Sequence, residues 1–433
     1  MTVMAIRTLT RAVAAATFAL LAFAEGTALA DGGSTRSVDE ASQSCAKVDR
    51  SNVVACALAA SHGLRADEHG VDAARGRADA ARTILPSNPT LSVLGSRRDT
   101  AGVIVPNWTV ALGQEFEIGG QRGARRREAE ENVTVAKSRL VVDERDVAAN
   151  ALRALYDAVA ANRALELAQR LEANAKAVAT AARARADKGL IPVVEADVAE
   201  AGSLHATQVR LDVGQRALDS RSALATLVGR SLADGVVAAG DLTPLPSAEA
   251  SPSAAARPEV VELDARRRAF EERASLLRRS RVPNVTLSAF AQNDAVNDRL
   301  FGFGLSIPIP LPHPLGRTNA GEIAEAEADA LRARSEAARI TRDFELRRAL
   351  AASAYETSRA KLDAYTPDRI ANADRQLANI ATEVEAGRLA LRDAIVTQQA
   401  LVELLQAHIE VERSLCLASV ELSRASGVPL ESR

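Results

Sequence analysis

The sequence predicts a mainly helical protein with transmembrane β-structure, built from two copies of one structural unit. The first observation is an internal duplication, because residues 88–229 and 284–427 follow the same plan. Each copy begins with strand-like residues and continues as a long alanine-rich helix, a glycine and a second long helix. The second observation is that apolar and polar residues alternate in the strand-like segments, as in strands with two different faces. We therefore expect duplicated antiparallel helical hairpins and two β-hairpins per chain in one pseudo-symmetric body.

The two copies have nearly the same length. The glycines that break the long helices, Gly189 and Gly387, are 387 − 189 = 198 residues apart, and the strand starts at Asn88 and Asn284 are 284 − 88 = 196 residues apart. The predicted segments are, in order, a signal peptide (1–30), an N-terminal arm and helix (31–87), the first repeat (88–229), a linker (230–257), the second repeat with its leading helix (258–427) and a C-terminal tail (428–433).

The N-terminus has the pattern of a secretory signal peptide. Arg7 and Arg11 precede an apolar core over residues 12–24, and the small residues of 28–30 follow as a cleavage site. The apolar run is too short to span a membrane as a helix. We therefore expect an exported protein whose mature chain begins after Ala30.

Export bears on the interpretation of the cysteines. Cys45 and Cys56 lie close together in the N-terminal arm. A disulfide between them is compatible with an oxidising compartment, although the sequence does not establish its geometry. Cys416 lies within the last helix, and we interpret it as a small buried apolar residue.

Four short segments alternate as half-buried strands do, and we predict strands over 88–98, 107–118, 284–293 and 300–309. One face of these strands is apolar and rich in aromatic residues, as the outer face of a transmembrane barrel is. The residues that we expect to face lipid are Trp108, Val110, Leu112, Phe301, Phe303 and Leu305. Two hairpins cannot close a barrel, so this interpretation requires several chains. A sheet that packs on the helices of a soluble protein remains the alternative.

Two predicted helices are much longer than the ordinary helices of globular proteins. Residues 121–188 contain no proline, and residues 319–386 contain only Pro367, which we expect to kink or interrupt the helix. Each span would be about 100 Å long at about 1.5 Å per residue. A further helix precedes each pair of strands, over residues 52–85 and from Pro258 to about Ser280.

The return helices repeat apolar residues every seven positions. An offset of 198 residues relates the two sets, which are Leu204, Leu211 and Leu218 in the first copy and Val402, Ile409 and Cys416 in the second. A sustained heptad predicts antiparallel coiled-coil packing within each hairpin. The linker over 230–257 is rich in proline, serine and alanine and is predicted to be irregular.

The sequence gives no indication of catalysis. The five histidines pair with no cysteine or carboxylate at a recognised metal-ligand spacing. No phosphate-binding glycine loop or nucleophile elbow is present. The net charge of −2 does not suggest a nucleic-acid partner. We therefore predict no enzyme activity, no cofactor and no resident metal.

Together, the signal peptide, the duplicated strand and hairpin halves and the two long helical hairpins resemble the TolC-like outer-membrane efflux family. The most specific local feature is the hairpin tip, which in the family looks like a glycine followed six residues later by an acidic residue. The matching pairs here are Gly189 with Glu195 and Gly387 with Asp393. Residues 304–310 and 321–326 look like the heavy-metal (CzcC-like) branch, for which metal resistance would be the trait.

The resemblance implies an assembly and a function. It implies a homotrimer in which four strands per chain form a twelve-stranded outer-membrane barrel on an α-helical tunnel that extends into the periplasm. The implied partners are a periplasmic adaptor (membrane fusion) protein, an inner-membrane pump of the RND type and outer-membrane lipid. The implied function is export of small substrates, metal cations or drugs, from the periplasm to the exterior.

The hairpin tips are the predicted functional sites. The residues expected to contact the adaptor are Arg185, Gly189 and Gly387, and the expected acidic residues of the entrance are Glu195 and Asp393. In a trimer these acids would form carboxylate rings that attract cations, unless they pair with neighbours such as Arg392 or lie in solvent. A tyrosine and an arginine that latch the closed entrance in some relatives are replaced by Val384 and Leu389, so a latch here must use other residues.

Two other functions are compatible with parts of this pattern. A type I protein-secretion channel has the same fold, and the sequence does not separate it from an efflux channel. A periplasmic coiled-coil scaffold or adaptor would share the helices, but it usually has one hairpin and would lack aromatic lipid-facing strands.

Overall fold

Two long helical hairpins and one small β-sheet make up most of the structure, which is a computed structural model. It describes residues 45–100, 103–231, 235–246, 257–293, 299–311, 315–316, 318–427 and 430. The predicted signal peptide lies outside these residues. The elements are, in chain order, β1 (Lys47–Val48), α1 (Val53–Ala60), α2 (His62–Ala81), β2 (Thr90–Thr100), β3 (Val103–Phe116), α3 (Gln121–Asp187), α4 (Val193–Leu227), β4 (Val237–Ala238), α5 (Pro258–Arg279), β5 (Val285–Asn293), β6 (Arg299–Ser306), α6 (Ala320–Asp363), α7 (Pro367–Glu385) and α8 (Leu391–Ser426).

The two β-hairpins form one antiparallel sheet with the strand order β2-β3-β5-β6. Each hairpin contributes one edge strand, so β2 and β6 each leave one side unpaired within the chain. The fourth strand ends at Ser306 and not at residue 309 as predicted, because Pro308 and Pro310 have no N–H group to donate to a ladder. The second strand runs from Val103 to Phe116, four residues earlier at its start and two earlier at its end than predicted.

The first long helix is continuous and the second is not. Helix α3 runs for 67 residues without interruption. In the second copy α6 ends at Asp363 and α7 begins at Pro367, with Thr366 extended at φ −69° and ψ 142°. This confirms the predicted interruption, because proline cannot sit in a helix interior without losing a backbone hydrogen bond.

The helices lie side by side in a layer whose order changes along its length. Near the strands α2 packs on α3, α3 on α5 and α5 on α6. Towards the tips α4 packs on α3, α3 packs on α7 and α8, and α8 packs on α6 and α7. Helices α2 and α4 therefore lie at one edge of the layer, on the side of β2, and α6 lies at the other edge, on the side of β6. None of the described helices combines the length and the apolarity that crossing a bilayer demands.

The predicted packing of the first return helix is wrong. Leu204, Leu211 and Leu218 are all exposed on α4 and do not face α3. Helix α4 instead buries a set of small residues against α3, namely Ala196, Ala199, Ala206 and Ala217. Alanines let the two helix axes approach closely, and the leucines then fall on another face of the helix. In the second copy the residues at the equivalent heptad positions lie inside the layer, where Val402 and Cys416 are buried.

Two smaller predictions also need correction. The helix predicted over residues 52–85 is divided at Ser61, whose hydroxyl accepts a 3.3 Å hydrogen bond from the backbone N–H of Leu64 and caps α2. The linker is not wholly irregular, because β4 within it pairs in parallel with β1 of the N-terminal arm.

The N-terminal arm is fastened to the middle of the helical layer. Cys45 and Cys56 form a disulfide with their Cα atoms 6.0 Å apart. Both lie in a core that includes Tyr156 of α3 and Cys416 of α8. The Tyr156 hydroxyl donates a 2.9 Å hydrogen bond to the Thr243 carbonyl oxygen of the linker, and burial raises the pKa of Tyr156 to about 12. Cys416 is a free, fully buried cysteine, as predicted.

Candidate functional site

One face of the sheet is apolar across all four strands. The pairing places Leu91 opposite Leu112, Leu112 opposite Ala289 and Ala289 opposite Phe303, so these four side chains form one row. Phe303 is 93% exposed in the single chain. The six residues predicted to face lipid all lie on this face, and all are exposed except Val110, which is half-buried.

The opposite face is richer in small and polar residues, although Leu94 and Leu300 also lie on it. A row across it contains Thr90, Gly113, Ser288 and Gly304. Phe290 also lies on this face, where its ring covers Gly302: a Cβ atom at Gly302 would stand 2.5 Å from the Phe290 Cζ atom. The sheet therefore has one face suited to lipid and one suited to water.

The two hairpin tips have the same backbone geometry. Gly189 and Gly387 have φ angles of 70° and 74°, values that glycine adopts without steric cost. At the first tip the N–H of Leu190 donates to the carbonyl of Arg185 at 2.9 Å, and at the second the N–H of Arg388 donates to that of Glu383 at 3.0 Å. Both are helix C-caps in which the residue after the glycine closes the last turn.

Arg185 joins the two tips. It is half-buried at the end of α3, and its Nη1 atom donates a 2.8 Å hydrogen bond to the carbonyl oxygen of Val384 at the end of α7. The same guanidinium lies against Gly387, where an added Cβ would be 3.7 Å from Nη1. We call this contact the clasp. Val384, which stands where some relatives have a latching tyrosine, contributes its backbone and not its side chain.

Two further side chains hold α3 to α7 above the clasp. Arg170 forms an ion pair with Asp374, and the Asn174 amide donates a 2.7 Å hydrogen bond to the Leu377 carbonyl oxygen. The sequence did not single out these residues. Their partners are about 200 positions away in the sequence. Of the three contacts between α3 and α7, those made by Asn174 and Arg185 use backbone carbonyl acceptors, which any residue type provides.

Charged residues around the tips are paired within their own hairpins. Arg183 bridges Asp197 and Glu200 across the first hairpin, with both contacts at 2.8 Å. In the second, Arg388 donates two 2.7 Å hydrogen bonds to Glu383 and thereby lowers the pKa of that carboxyl. These pairs are exposed and screened by solvent, so each contributes little to stability.

The two predicted entrance acids are free of such pairs. Glu195 and Asp393 are exposed in the first turns of α4 and α8. Within the part of the chain that the structure describes, neither forms an ion pair, with Arg392 or with any other residue. Negative charge is favourable at a helix N-terminus, and two unpaired carboxylates near the tips can attract cations.

The described residues give no metal site. Among them, no group of three or more histidine, cysteine, aspartate or glutamate side chains is arranged to hold a metal ion. The tip residues instead offer hydrogen bonds and charge.

Comparisons with known proteins agree with this geometry. The model of the family described as outer membrane efflux protein matches residues 53–230 and 251–428. No curated protein matches the sequence significantly.

Several solved structures share the fold. The CmeC outer membrane channel of Campylobacter jejuni has a TM-score of 0.75 at 15% identity, with 87% of this chain and 85% of that chain covered. CusC, described as forming a transmembrane channel, has a TM-score of 0.72 at 14% identity, with 89% and 94% covered. The open state of the Neisseria gonorrhoeae MtrE outer membrane channel has a TM-score of 0.67 at 16% identity, with 88% and 89% covered.

Proposed function

This chain belongs to the outer membrane efflux protein family, and from that premise we propose that three copies form the outer-membrane channel of a tripartite efflux system. The observation that carries the proposal is that the single chain is a layer with two unpaired edges. A layer of this kind completes its hydrogen bonds and buries its apolar edges only by closing with further copies.

The sheet supplies the first part of this argument. Strands β2 and β6 each present an unpaired row of backbone groups. Backbone polar groups without partners cost several kcal/mol each in lipid, so open sheet edges do not occur there. Pairing β2 of one copy with β6 of the next removes both edges, and three copies of four strands give the expected twelve-stranded barrel.

The helices supply the second part. Helix α4 exposes the leucine stripe defined by Leu204, Leu211 and Leu218, and α6 at the opposite edge exposes Leu331, Leu346 and Leu350. A contiguous exposed apolar surface marks an interaction site. The leucine stripe lies on the same edge of the layer as β2. The rotation that pairs β2 of one copy with β6 of the next therefore also brings α4 towards α6 or α7 of the neighbouring copy.

The polar face of the sheet would then line the pore. The row that contains Gly113 and Ser288 faces away from the apolar row that contains Leu112 and Phe303. This arrangement supports passage of hydrated small substrates and argues against the scaffold alternative, which has no use for an aromatic outer face.

The hairpin tips would contact the periplasmic adaptor, and through it the RND-type inner-membrane pump. Because Arg185 is engaged in the clasp, we propose that the contact centres on Gly189 and Gly387. Leu190, Val193 and Val194 stand beside Gly189 with exposed apolar side chains, which is typical of a protein-binding surface.

The assembly is tested by the mass and conductance of the full-length protein extracted from outer membranes. Multi-angle light scattering in detergent is expected to give three times the chain mass after subtraction of the detergent. The same preparation is expected to form discrete channels in planar bilayers. A monodisperse monomer, or a trimer without conductance, would contradict the proposal.

A further inference from the structure

A cavity of about 510 Å³ lies at the junction between the strands and the helices. It is lined by the start of α3, the end of α5, the last residues of β3 and the segment Pro308–Pro310. Gly119 stands beside it, and a Cβ atom there would be 2.8 Å from the Arg279 carbonyl oxygen. The absence of a side chain at Gly119 thus lets the end of α5 approach the end of β3.

Three side chains that line this cavity each have a polar atom without a partner among the described residues. Gln121 is 3% exposed, and its Nε2 atom donates to the Val282 carbonyl at 3.0 Å while its Oε1 atom accepts nothing. The Glu117 side chain is 9% exposed, with one carboxylate oxygen bound to Arg125 and Oε2 unpaired. Arg125 has its Nη2 atom unpaired. A buried polar group without a partner costs about 1–3 kcal/mol, and more if it is charged.

The unpaired atoms comprise both acceptors and a donor. Glu117 Oε2 and Gln121 Oε1 require a hydrogen-bond donor, and the negative charge favours a cationic one. Arg125 Nη2 requires an acceptor. Arg281 adds a second cation at the cavity wall, since it donates to the Thr318 carbonyl at 2.9 Å and has no acidic partner in the described part of the chain. A simple anion would leave the two acceptors unpaired, and a simple cation would leave the guanidinium groups unpaired.

Apolar side chains surround the cavity on the side of the sheet. Ile309 lines it and is 83% exposed. Ile118, Ile307 and Leu311 are also exposed beyond the strand ends. Ile307 and Ile309 follow Leu305 of the apolar face closely in the chain, so exposed apolar side chains extend from that face to the level of the cavity.

We propose that this cavity binds the headgroup of a phosphoethanolamine phospholipid from the leaflet nearest the helices. The ammonium group donates to Glu117 Oε2 and Gln121 Oε1, and the phosphate accepts from Arg125 Nη2 and Arg281. The acyl chains leave the cavity beside Ile309. A zwitterion meets both kinds of unpaired atom, and arginine suits phosphate because its planar fork presents two donors. The proposal rests on the proposed function only in that it requires the sheet to lie in the membrane.

The test is native mass spectrometry of the full-length protein released from mixed micelles of equal phosphatidylethanolamine and phosphatidylglycerol. Wild type is expected to retain phosphatidylethanolamine at least about tenfold over phosphatidylglycerol, since one lost charge-assisted contact amounts to about 1.4 kcal/mol or more. Glu117→Gln is expected to bring the two lipids close to parity, because Glu117 contacts the ammonium group that only phosphatidylethanolamine carries. Arg281→Ala is expected to reduce the retention of both lipids about tenfold, because both carry the phosphate. Arg126→Ala is the matched control, because Arg126 lies on the same turn, pairs with Glu130 at 3.5 Å and does not line the cavity.

Equal retention of the two lipids by wild type would overturn the proposal. Unchanged retention of phosphatidylethanolamine by Arg281→Ala would also overturn it. Because Arg281 is exposed, its replacement leaves the buried pairs intact, so this variant still tests the proposal if Glu117→Gln misfolds. Displacement of the lipid by free phosphoethanolamine at equal concentration would show that the site takes a small soluble ligand, and would also overturn it. If wild type is trimeric and conducts but shows no lipid preference, the proposed function stands and this inference fails.

Discussion

The Nη1 atom of Arg185 lies 2.8 Å from the carbonyl oxygen of Val384, so one hydrogen bond joins the ends of helices α3 and α7 at the two hairpin tips. The donor is charged, and Val384 is only 1% exposed. Separation of the tips therefore breaks this bond and uncovers a buried valine. We propose that in the assembled channel the clasp holds the entrance closed.

Arg185→Ala is expected to favour the open entrance. A hydrogen bond from a charged group contributes about 1.5–3 kcal/mol, which corresponds to a change of about 10- to 150-fold in the ratio of open to closed channels. Single-channel recordings of open probability measure it. Arg183→Ala is the matched control, because Arg183 is two residues away and pairs only within the first hairpin. An equal effect of the two variants would show that only the loss of positive charge matters.

Substitutions on the two faces of the sheet are expected to differ. Leu112→Arg puts a charge on the lipid face and is expected to cost about 2–4 kcal/mol at mid-bilayer and to reduce trimer yield. Gly113→Ser, on the neighbouring residue and the opposite face, is expected to be mild, because the nearest atom to an added Cβ is 3.8 Å away. Trimer yield in outer-membrane extracts measures both. Equal yields would mean that the faces are assigned the wrong way round or that neither faces lipid.

The local features of the fold could be predicted from the sequence, because local chemistry determines them. A positive φ requires glycine at residues 189 and 387, and Pro367 removes a helical hydrogen bond wherever it is placed. Strand alternation likewise assigned Leu112 and Phe303 to one face. These predictions need only the neighbours of each residue along the chain.

The packing of the leucine stripe could not be predicted in this way. Leu204 and Val402 occupy the same position in the repeat, yet Leu204 is 64% exposed and Val402 is 6% exposed. Helix α4, which carries Leu204, lies at the edge of the layer, whereas α8, which carries Val402, lies inside it, and that difference comes from long-range packing. The clasp was missed for a related reason, since a backbone carbonyl accepts from Arg185 whatever residue occupies position 384.

The acid pair between α2 and α3 predicts a pH-dependent stability. Burial raises the pKa of Asp143, and the nearby carboxylate of Asp67 raises it further. The folded state thus holds the Asp143 proton more tightly than the unfolded state, so ionisation weakens the fold. The penalty is absent below the unfolded pKa of about 3.9, grows as pH rises towards the folded pKa and is complete above it.

Asp143→Asn is therefore expected to raise the melting temperature at pH 7 and to leave it unchanged at about pH 3, below the unfolded pKa. Thermal unfolding of the detergent-solubilised protein at the two pH values measures this. Asp146→Asn is the control, because Asp146 pairs with Arg424 and its loss should give no stabilisation at pH 7. Stabilisation of equal size at both pH values would rule out the electrostatic cause.

The unpaired acids of the tips predict the ion selectivity of the channel. In a trimer Glu195 and Asp393 each occur three times around the axis, which gives six carboxylates near the entrance. Replacement of both residues by asparagine is expected to reduce the preference for cations, because rings of carboxylates concentrate cations at a pore. Reversal potentials across a salt gradient measure the preference. The effect should be larger at 0.1 M than at 1 M salt, since the screening length falls from about 10 Å to about 3 Å.

Asp197→Asn is the matched control, because Asp197 is two residues from Glu195 and its charge is already paired with Arg183 at 2.8 Å. Unchanged selectivity in the double variant, with trimer yield intact, would remove these acids from the entrance while leaving the fold and the clasp unaffected.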